Sequence, residues 1–140
     1  LVVVDFLQLV TCRTKGASRE QQVGEVARAL KNVAKELNIC VIALSQLSRS
    51  QTPKPTLNRL RDSGQIEEAA DVILLTYRPE AYGLEYDDEL KGYNPTGSAL
   101  IDVAKGRSIG THKFVLSFRK ELTLFKDYDG GSYQPADTDF

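Results

Sequence analysis

The chain of 140 residues is long enough for one domain or a piece of one, and its 41% hydrophobic and 26% charged residues are typical of a globular protein. With 18 basic and 19 acidic residues its formal charge is −1, so nucleic-acid binding would have to come from a local patch or a ring of subunits. Two cysteines without CxxC spacing and one histidine argue against a zinc site or a disulfide scaffold and favour a cytoplasmic location. No apolar run approaches the roughly 20 residues of a membrane helix, so we expect no membrane partner.

The first part of the chain predicts a strand, a helix and a second strand. Residues 1–5 form an apolar run that ends in an acid, which is typical of a strand buried on both faces. Ser18 and Gln21 form a capping box, and apolar residues then recur at steps of three and four as far as Leu37, which predicts an amphipathic helix. Residues 39–45 form a second buried strand. This order predicts a βαβ unit with parallel strands.

The rest of the chain predicts further strands after a long polar loop over residues 46–64. A short helical turn is expected at residues 65–70, strands at 71–77 and 98–104, and a terminal hairpin at 112–118 and 122–125. We therefore predict an α/β fold, with a mainly parallel sheet that acquires antiparallel strands near its C-terminal end. Residues 1–126 would form the folded part, and the acidic, glycine-rich residues 127–140 a flexible tail.

Two polar groups follow the first two predicted strands, at the edge where parallel sheets bind ligands. Asp5 ends the first strand, and a carboxylate held rigidly there suits a phosphate-bound magnesium ion, although a strand-end aspartate more often caps or turns the chain. Gln46 follows the second strand, and its amide can hydrogen-bond a terminal phosphate or the attacking water. Taken alone, such a glutamine is more often a solvated surface residue.

Two basic segments suit phosphate groups. Residues 59–64, Arg-Leu-Arg-Asp-Ser-Gly, are basic and end in glycine, which suits the phosphates of a nucleic-acid strand, and the alternative is a solvated linker. Lys105 and Arg107 lie two residues apart beyond the fourth predicted strand, so an extended backbone points both to the same side. They could clamp a charged transition state, including one in a neighbouring subunit, or form an ordinary surface pair.

Four segments in order resemble the DnaB-type replicative DNA helicases. They are LVVVDFLQL at residues 1–9, SREQQV at 18–23, VIALSQLSR at 41–49 and LRDSGQIEEAAD at 60–71. The resemblance extends from residue 1 to about residue 125, and several motifs in the same order are far more specific than any one of them. It implies the C-terminal part of a RecA-like ATPase domain, that is, a partial P-loop NTPase fold.

The resemblance also implies roles for individual residues around a bound nucleotide. Asp5 would help to hold the magnesium ion of ATP, and Gln46 would sense the γ-phosphate. Lys105 and Arg107 would match the Lys-x-Arg pair of the family, with Arg107 the arginine finger that reaches the nucleotide of the adjacent subunit.

A second set of residues would contact single-stranded DNA in the central channel of a homo-hexamer. Arg61, Asp62 and Gly64 would lie on the loop that follows the DNA backbone, the last two mainly through main-chain groups, and residues 11–17 would face the same channel. ATP hydrolysis would move these loops, pull one strand through the ring and unwind duplex DNA at the replication fork. Primase and a helicase loader are the further partners that the family implies.

The phosphate-binding motif Gly-x-x-x-x-Gly-Lys-Ser/Thr is missing from the sequence. The family places this motif, and the glutamate that activates water, before residue 1, and the chain has no methionine. We therefore expect a fragment of a longer protein that does not hydrolyse ATP by itself. Two alternatives stay open: a RecA-type recombinase or related ATPase, and a non-catalytic DNA-binding or assembly module. The Leu-Gln-Leu and Arg-Asp-Ser-Gly segments favour the helicase.

Overall fold

The structure, a computed structural model, describes residues 1–11, 16–48, 50 and 52–130, with the backbone alone at residues 61–63. Most of the loop predicted to face a channel, and residues 131–140 of the predicted tail, lie outside the described residues. Within the described part, no helix is both long enough and apolar enough to cross a membrane.

A parallel βαβ unit opens the fold, as predicted. Strand β1 (Val2–Val4) pairs in parallel with β2 (Val41–Ala43), and helix α1 (Arg19–Glu36) connects them. The predicted capping box starts α1: the Ser18 hydroxyl accepts from the Gln21 backbone N–H at 3.3 Å, and the Gln21 side chain accepts from the Ser18 backbone N–H at 2.9 Å. Two free N–H groups at the helix start are thereby satisfied.

A second sheet holds the remaining strands and is antiparallel throughout. A short helix α2 (Gly64–Ala69) precedes it, and its strands in sheet order are β3 (Val72–Tyr77), β4 (Ser98–Gly106), β5 (His112–Arg119) and β6 (Leu124–Asp127). The predicted α/β class and terminal hairpin are confirmed, whereas the expectation of a mainly parallel sheet is wrong for the described strands. The connection between β3 and β4 holds only short 3₁₀ turns at Pro79–Tyr82 and Asp88–Leu90, so it lacks the helical crossover that parallel pairing needs.

The strands β1 and β2 are less buried than their apolar sequences predict. Val2, Val3 and Ile42 are exposed, so the expectation of a strand buried on both faces is corrected. Within the described residues, this sheet has only two strands, so each strand has a neighbour on one side only. By contrast, β3 alternates strictly between buried and exposed residues, which is the pattern of a sheet covered on one face.

Three apolar clusters form the core. Their members are Leu7, Val23, Val26, Ala27 and Ile66 in the first, Leu60, Ile73 and Leu75 in the second, and Tyr77, Tyr86, Leu100 and Val115 in the third. The first cluster matters most for the site because it packs α1 against both α2 and the 3₁₀ helix Leu7–Leu9 that follows β1. Helix α1 thus fastens the turn that follows Asp5 and the short helix that begins at Gly64.

Truncation of Leu7 should destabilise the fold, whereas truncation of its neighbour Leu9 should not. Leu7 is 2% exposed and Leu9 is 66% exposed, although both belong to the same 3₁₀ helix. We expect Leu7→Ala to lower the free energy of unfolding by about 2–5 kcal/mol, because it leaves a cavity in the first cluster. Leu9→Ala should stay within about 0.5 kcal/mol of the parent. Equilibrium urea unfolding measures both, and equal effects would contradict this packing.

Candidate functional site

Asp5 and Gln46 lie at the same edge of the parallel sheet. The backbone of Leu44 joins the two strand ends: its N–H donates to Val4 O and its carbonyl accepts from Leu7 N–H, both at 2.9 Å. Asp5 follows β1 at this point, Gln46 comes three residues after the end of β2, and both residues are exposed. The structure therefore brings a carboxylate and an amide to one open edge, as the sequence predicts.

Gln8 fixes the backbone at this edge. Its side-chain Nε2 donates to Ser45 Oγ at 3.0 Å and to Gln46 O at 3.3 Å, while its Oε1 accepts from the Gln46 backbone N–H at 3.3 Å. The buried side chain of Leu7, one residue earlier, anchors the turn that carries Gln8. Sequence reasoning gave Gln8 no role, although a lone polar residue between Leu7 and Leu9 is a signal that could have indicated one.

The oxygen donors at this edge fit a magnesium ion that arrives with a nucleotide. Magnesium prefers hard oxygen ligands, keeps several waters, and is usually held by one or two carboxylates together with substrate phosphates. Asp5 supplies one exposed carboxylate. Among the described residues, no group of three or more histidine, cysteine, aspartate or glutamate side chains could hold a metal by itself. The donor set thus suits a shared ion rather than a permanent structural metal.

Lys105 and Arg107 both reach the C-terminal end of α2 in their own chain. The Lys105 ammonium donates to the carbonyl of Glu67, and Arg107 Nη2 donates to the carbonyl of Glu68 at 3.4 Å. The last carbonyls of a helix have no partner within the helix and carry a partial negative charge, so they attract cations. These intramolecular partners were not foreseen from the sequence.

Asp71 connects Arg107 to α1. Its carboxylate accepts a hydrogen bond from Lys31 of α1, and its Oδ1 lies 3.1 Å from Arg107 Nη1. The Lys31 hydrogen bond is the main cause that lowers the pKa of Asp71, and the charges of Lys31, Arg107 and Lys35 act in the same direction. Asp71 is the last residue of the LRDSGQIEEAAD motif, but the sequence alone did not single it out.

The predicted DNA-contacting segment leads directly into α2. Residues Leu57–Ser63 form a short 3₁₀ helix, and α2 begins at Gly64 without a break. The side chains of Arg61 and Asp62 lie outside the described part of the structure. Gly64 is exposed, and a Cβ built on it would meet nothing within 4 Å, so the space beside its Cα is open. Asp5 and Gln46 thus form one group, and Lys105, Arg107 and this segment meet at α2.

Comparison with solved structures defines the class of fold. The chain is similar to a DnaB-like replicative helicase solved with its interactions with primase (TM-score 0.75, 36% identity, 89% of this chain and 30% of that one). It is equally similar to a second solved structure, an isolated ATPase domain (TM-score 0.76, 36% identity, 91% of this chain and 44% of that one). The fold is therefore a partial RecA-like ATPase fold.

Sequence comparison gives the family. The family model for the DnaB-like helicase C terminal domain matches residues 1–127, and the chain belongs to this family. A curated relative, the replicative DNA helicase DnaB of Leifsonia xyli subsp. xyli, is 42% identical over 132 residues, which are 91% of this chain and 27% of the relative. The chain spans about a quarter of the length of such relatives. The family match favours a helicase over a recombinase.

Replacement of Gln8 by leucine should loosen the backbone of Gln46. Gln8→Leu keeps a similar volume but removes all three hydrogen bonds to Ser45 and Gln46, each worth about 0.5–1.5 kcal/mol. We expect the Gln46 amide proton to exchange up to about tenfold faster, since 1.4 kcal/mol corresponds to a factor of ten. The control is Gln22→Leu, which removes a side-chain amide that donates to Ala17 O instead. Hydrogen exchange followed by NMR measures this, and an unchanged Gln46 rate in Gln8→Leu would contradict the role given to Gln8.

Proposed function

We propose that the protein works as an ATP-dependent replicative DNA helicase, a cytoplasmic motor that translocates on single-stranded DNA and unwinds the duplex at the replication fork. The observation that carries this proposal is the shared edge of β1 and β2, where Asp5 and Gln46 lie together and exposed in a chain that belongs to a helicase family. The cofactors would be ATP and Mg²⁺. Hydrolysis requires the whole protein, because the phosphate-binding motif is not part of the 140 residues.

The residues at this edge would bind and sense the nucleotide. Asp5 would hold the magnesium ion, which when bound neutralises charge on the phosphates. Gln46 would hydrogen-bond the terminal phosphate or its attacking water, and the Gln8 amide keeps the main chain beneath this side chain fixed. Because the backbone is fixed, the position of the Gln46 side-chain amide would depend mainly on whether the phosphate is present.

Lys105 and Arg107 would act on the nucleotide of the neighbouring subunit in a homo-hexamer. The Arg107 side chain is 55% exposed, and its contacts with Asp71 and Glu68 use only part of a guanidinium group that has five N–H donors. The remaining donors are open to phosphate oxygens. A guanidinium that stabilises charge in the transition state has the effect of an arginine finger.

The segment before α2 would follow the DNA backbone. Arg61 would neutralise a phosphate, while Asp62 and Gly64 would contact the strand through main-chain groups, which the open surroundings of Gly64 permit. Contact with phosphates rather than bases makes movement largely independent of sequence. Residues 11–17 would line the same channel. Primase and a helicase loader would be the protein partners, and the solved relative with primase supports the first of these.

Removal of Arg61 should weaken single-stranded DNA binding and its salt dependence together. For Arg61→Ala in the whole protein we expect Kd to rise about tenfold or more, because a hydrogen bond to a charged group contributes about 1.5–3 kcal/mol. The slope of log K against log salt should become shallower by about 0.7 for each phosphate that the variant no longer neutralises. Fluorescence anisotropy at several salt concentrations measures both. Lys120→Ala, in the turn between β5 and β6, removes equal charge elsewhere and should change neither.

Removal of Arg107 should abolish most of the ATPase activity while the protein stays folded and assembled. We expect kcat of Arg107→Ala to fall by about 10³-fold or more, the effect typical of an arginine finger. The ion pair with Asp71 is exposed, so its loss should cost at most about 1 kcal/mol of stability. Steady-state ATPase assays with circular dichroism and sizing measure these effects. Arg19→Ala, at the exposed start of α1, serves as the control, and an Arg107→Ala protein with wild-type kcat would rule out the finger.

A further inference from the structure

The C-terminal end of α2 joins the basic pair to the segment proposed to contact DNA. We infer that Asp71 is a positioning residue, which holds the guanidinium of Arg107 against the end of α2 and so links the arginine finger to the DNA-contacting segment. This inference rests on the proposed function, in which Arg107 acts on the neighbouring nucleotide.

Asp71 holds Arg107 through both its side chain and its main chain. The carboxylate accepts from Arg107 Nη1 at 3.1 Å, and the carbonyl of Asp71 accepts from the Arg107 backbone N–H at 2.9 Å. The second carboxylate oxygen accepts from Lys31 of α1. Asp71 is therefore restrained from the α1 side and restrains Arg107 in turn. These two contacts favour one direction of the Arg107 side chain.

The short helix α2 connects the two functional ends. It has six residues, about 9 Å at 1.5 Å per residue. Its first residue, Gly64, continues the segment that contains Arg61, and its last turn accepts hydrogen bonds from Lys105 and Arg107. Because the helix is so short, a displacement of its N-terminal end also displaces its C-terminal end.

Helix α2 packs closely on α1, which favours its displacement as one rigid unit. Ile66 is buried with Val23 and Val26 of α1. A Cβ added at Gly24 would overlap the side chain of Gln65, which shows how closely the two helices approach. Arg28 of α1 also donates to Gln65 Oε1 at 2.8 Å. Closely packed interiors transmit strain, so a displacement at one end of α2 should reach its other end.

The contribution of Asp71 is geometric rather than a matter of stability. The side chains of Asp71 and Arg107 are 52% and 55% exposed, and ion pairs with this exposure are screened by water and salt. The hydrogen bond from Lys31 lowers the pKa of the Asp71 carboxyl, so the group stays ionised at neutral pH. Asp71→Asn should therefore fold, while losing the charge that holds the guanidinium in one orientation.

The test is a double-mutant cycle on the ATPase activity of the whole protein. We expect Asp71→Asn to lower kcat by about 10- to 100-fold with little change in KM for ATP, since a displacement of about 1 Å can cost 10²-fold. The ratio of kcat with single-stranded DNA to kcat without it should also change in Asp71→Asn, because α2 joins Arg107 to the DNA-contacting segment. In an Arg107→Ala background the same substitution should change kcat less than twofold, because Asp71 acts through Arg107. A residue with a merely structural role would lower both backgrounds alike.

A matched control and a second variant keep the result interpretable. Asp87→Asn removes another exposed, ion-paired aspartate, the partner of Lys54, and should leave kcat unchanged. Lys31→Ala removes the other partner of Asp71 and should lower kcat less than Asp71→Asn does, again only when Arg107 is present. If Asp71→Asn does not fold, Lys31→Ala replaces it in the double-mutant cycle.

Two outcomes would overturn the inference, and they are distinguishable. In the first outcome, Arg107→Ala lowers kcat as expected, but Asp71→Asn either lowers kcat equally in both backgrounds or does not lower it. This outcome rejects the role of Asp71 and leaves the arginine finger in place. Wild-type activity of Arg107→Ala alone rejects the finger, and with it the inference.

Discussion

One face of α1 buries two side chains that lie far apart in the sequence, Leu7 and Ile66. Full burial of one such side chain contributes about 1.5–3 kcal/mol, and here each also fastens a functional element. Leu7 holds the turn that carries Gln8, and so the edge with Asp5 and Gln46. Ile66 holds α2, and so the partners of Lys105 and Arg107. The helix is thus the common support of both regions.

Much of this arrangement could be predicted from the sequence because it depends on local patterns. The capping box at Ser18, the helical periodicity of α1 and the parallel pairing of β1 with β2 follow from residue spacing. The placement of Asp5 and Gln46 at one edge then follows from topology, since parallel strands end at the same edge. The family resemblance, which the match to residues 1–127 confirms, added the order of the motifs.

The parts that sequence reasoning missed depend on contacts between distant residues. The antiparallel pairing of β3 with β4 is set by a long connection whose 3₁₀ turns do not show in any simple periodicity. Asp71 meets Lys31 across 40 positions and Arg107 across 36. Nothing in the local sequence says which of the several basic residues a given carboxylate will contact. The main-chain partners of Lys105 and Arg107 were hidden for the same reason.

The hydrogen bonds of Gln8 have a consequence for which substitutions each position tolerates. A side-chain amide donates and accepts at once, so a carboxylate or an ammonium at position 8 could make only one half of the pattern seen with Gln46. The partner groups on Gln46 belong to its main chain, however, and every residue except proline has both. The supporting hydrogen bonds and the functional side chain therefore depend on different positions. Position 8 requires a side-chain amide, whereas the side chain at position 46 can change without loss of the hydrogen bonds to its main chain.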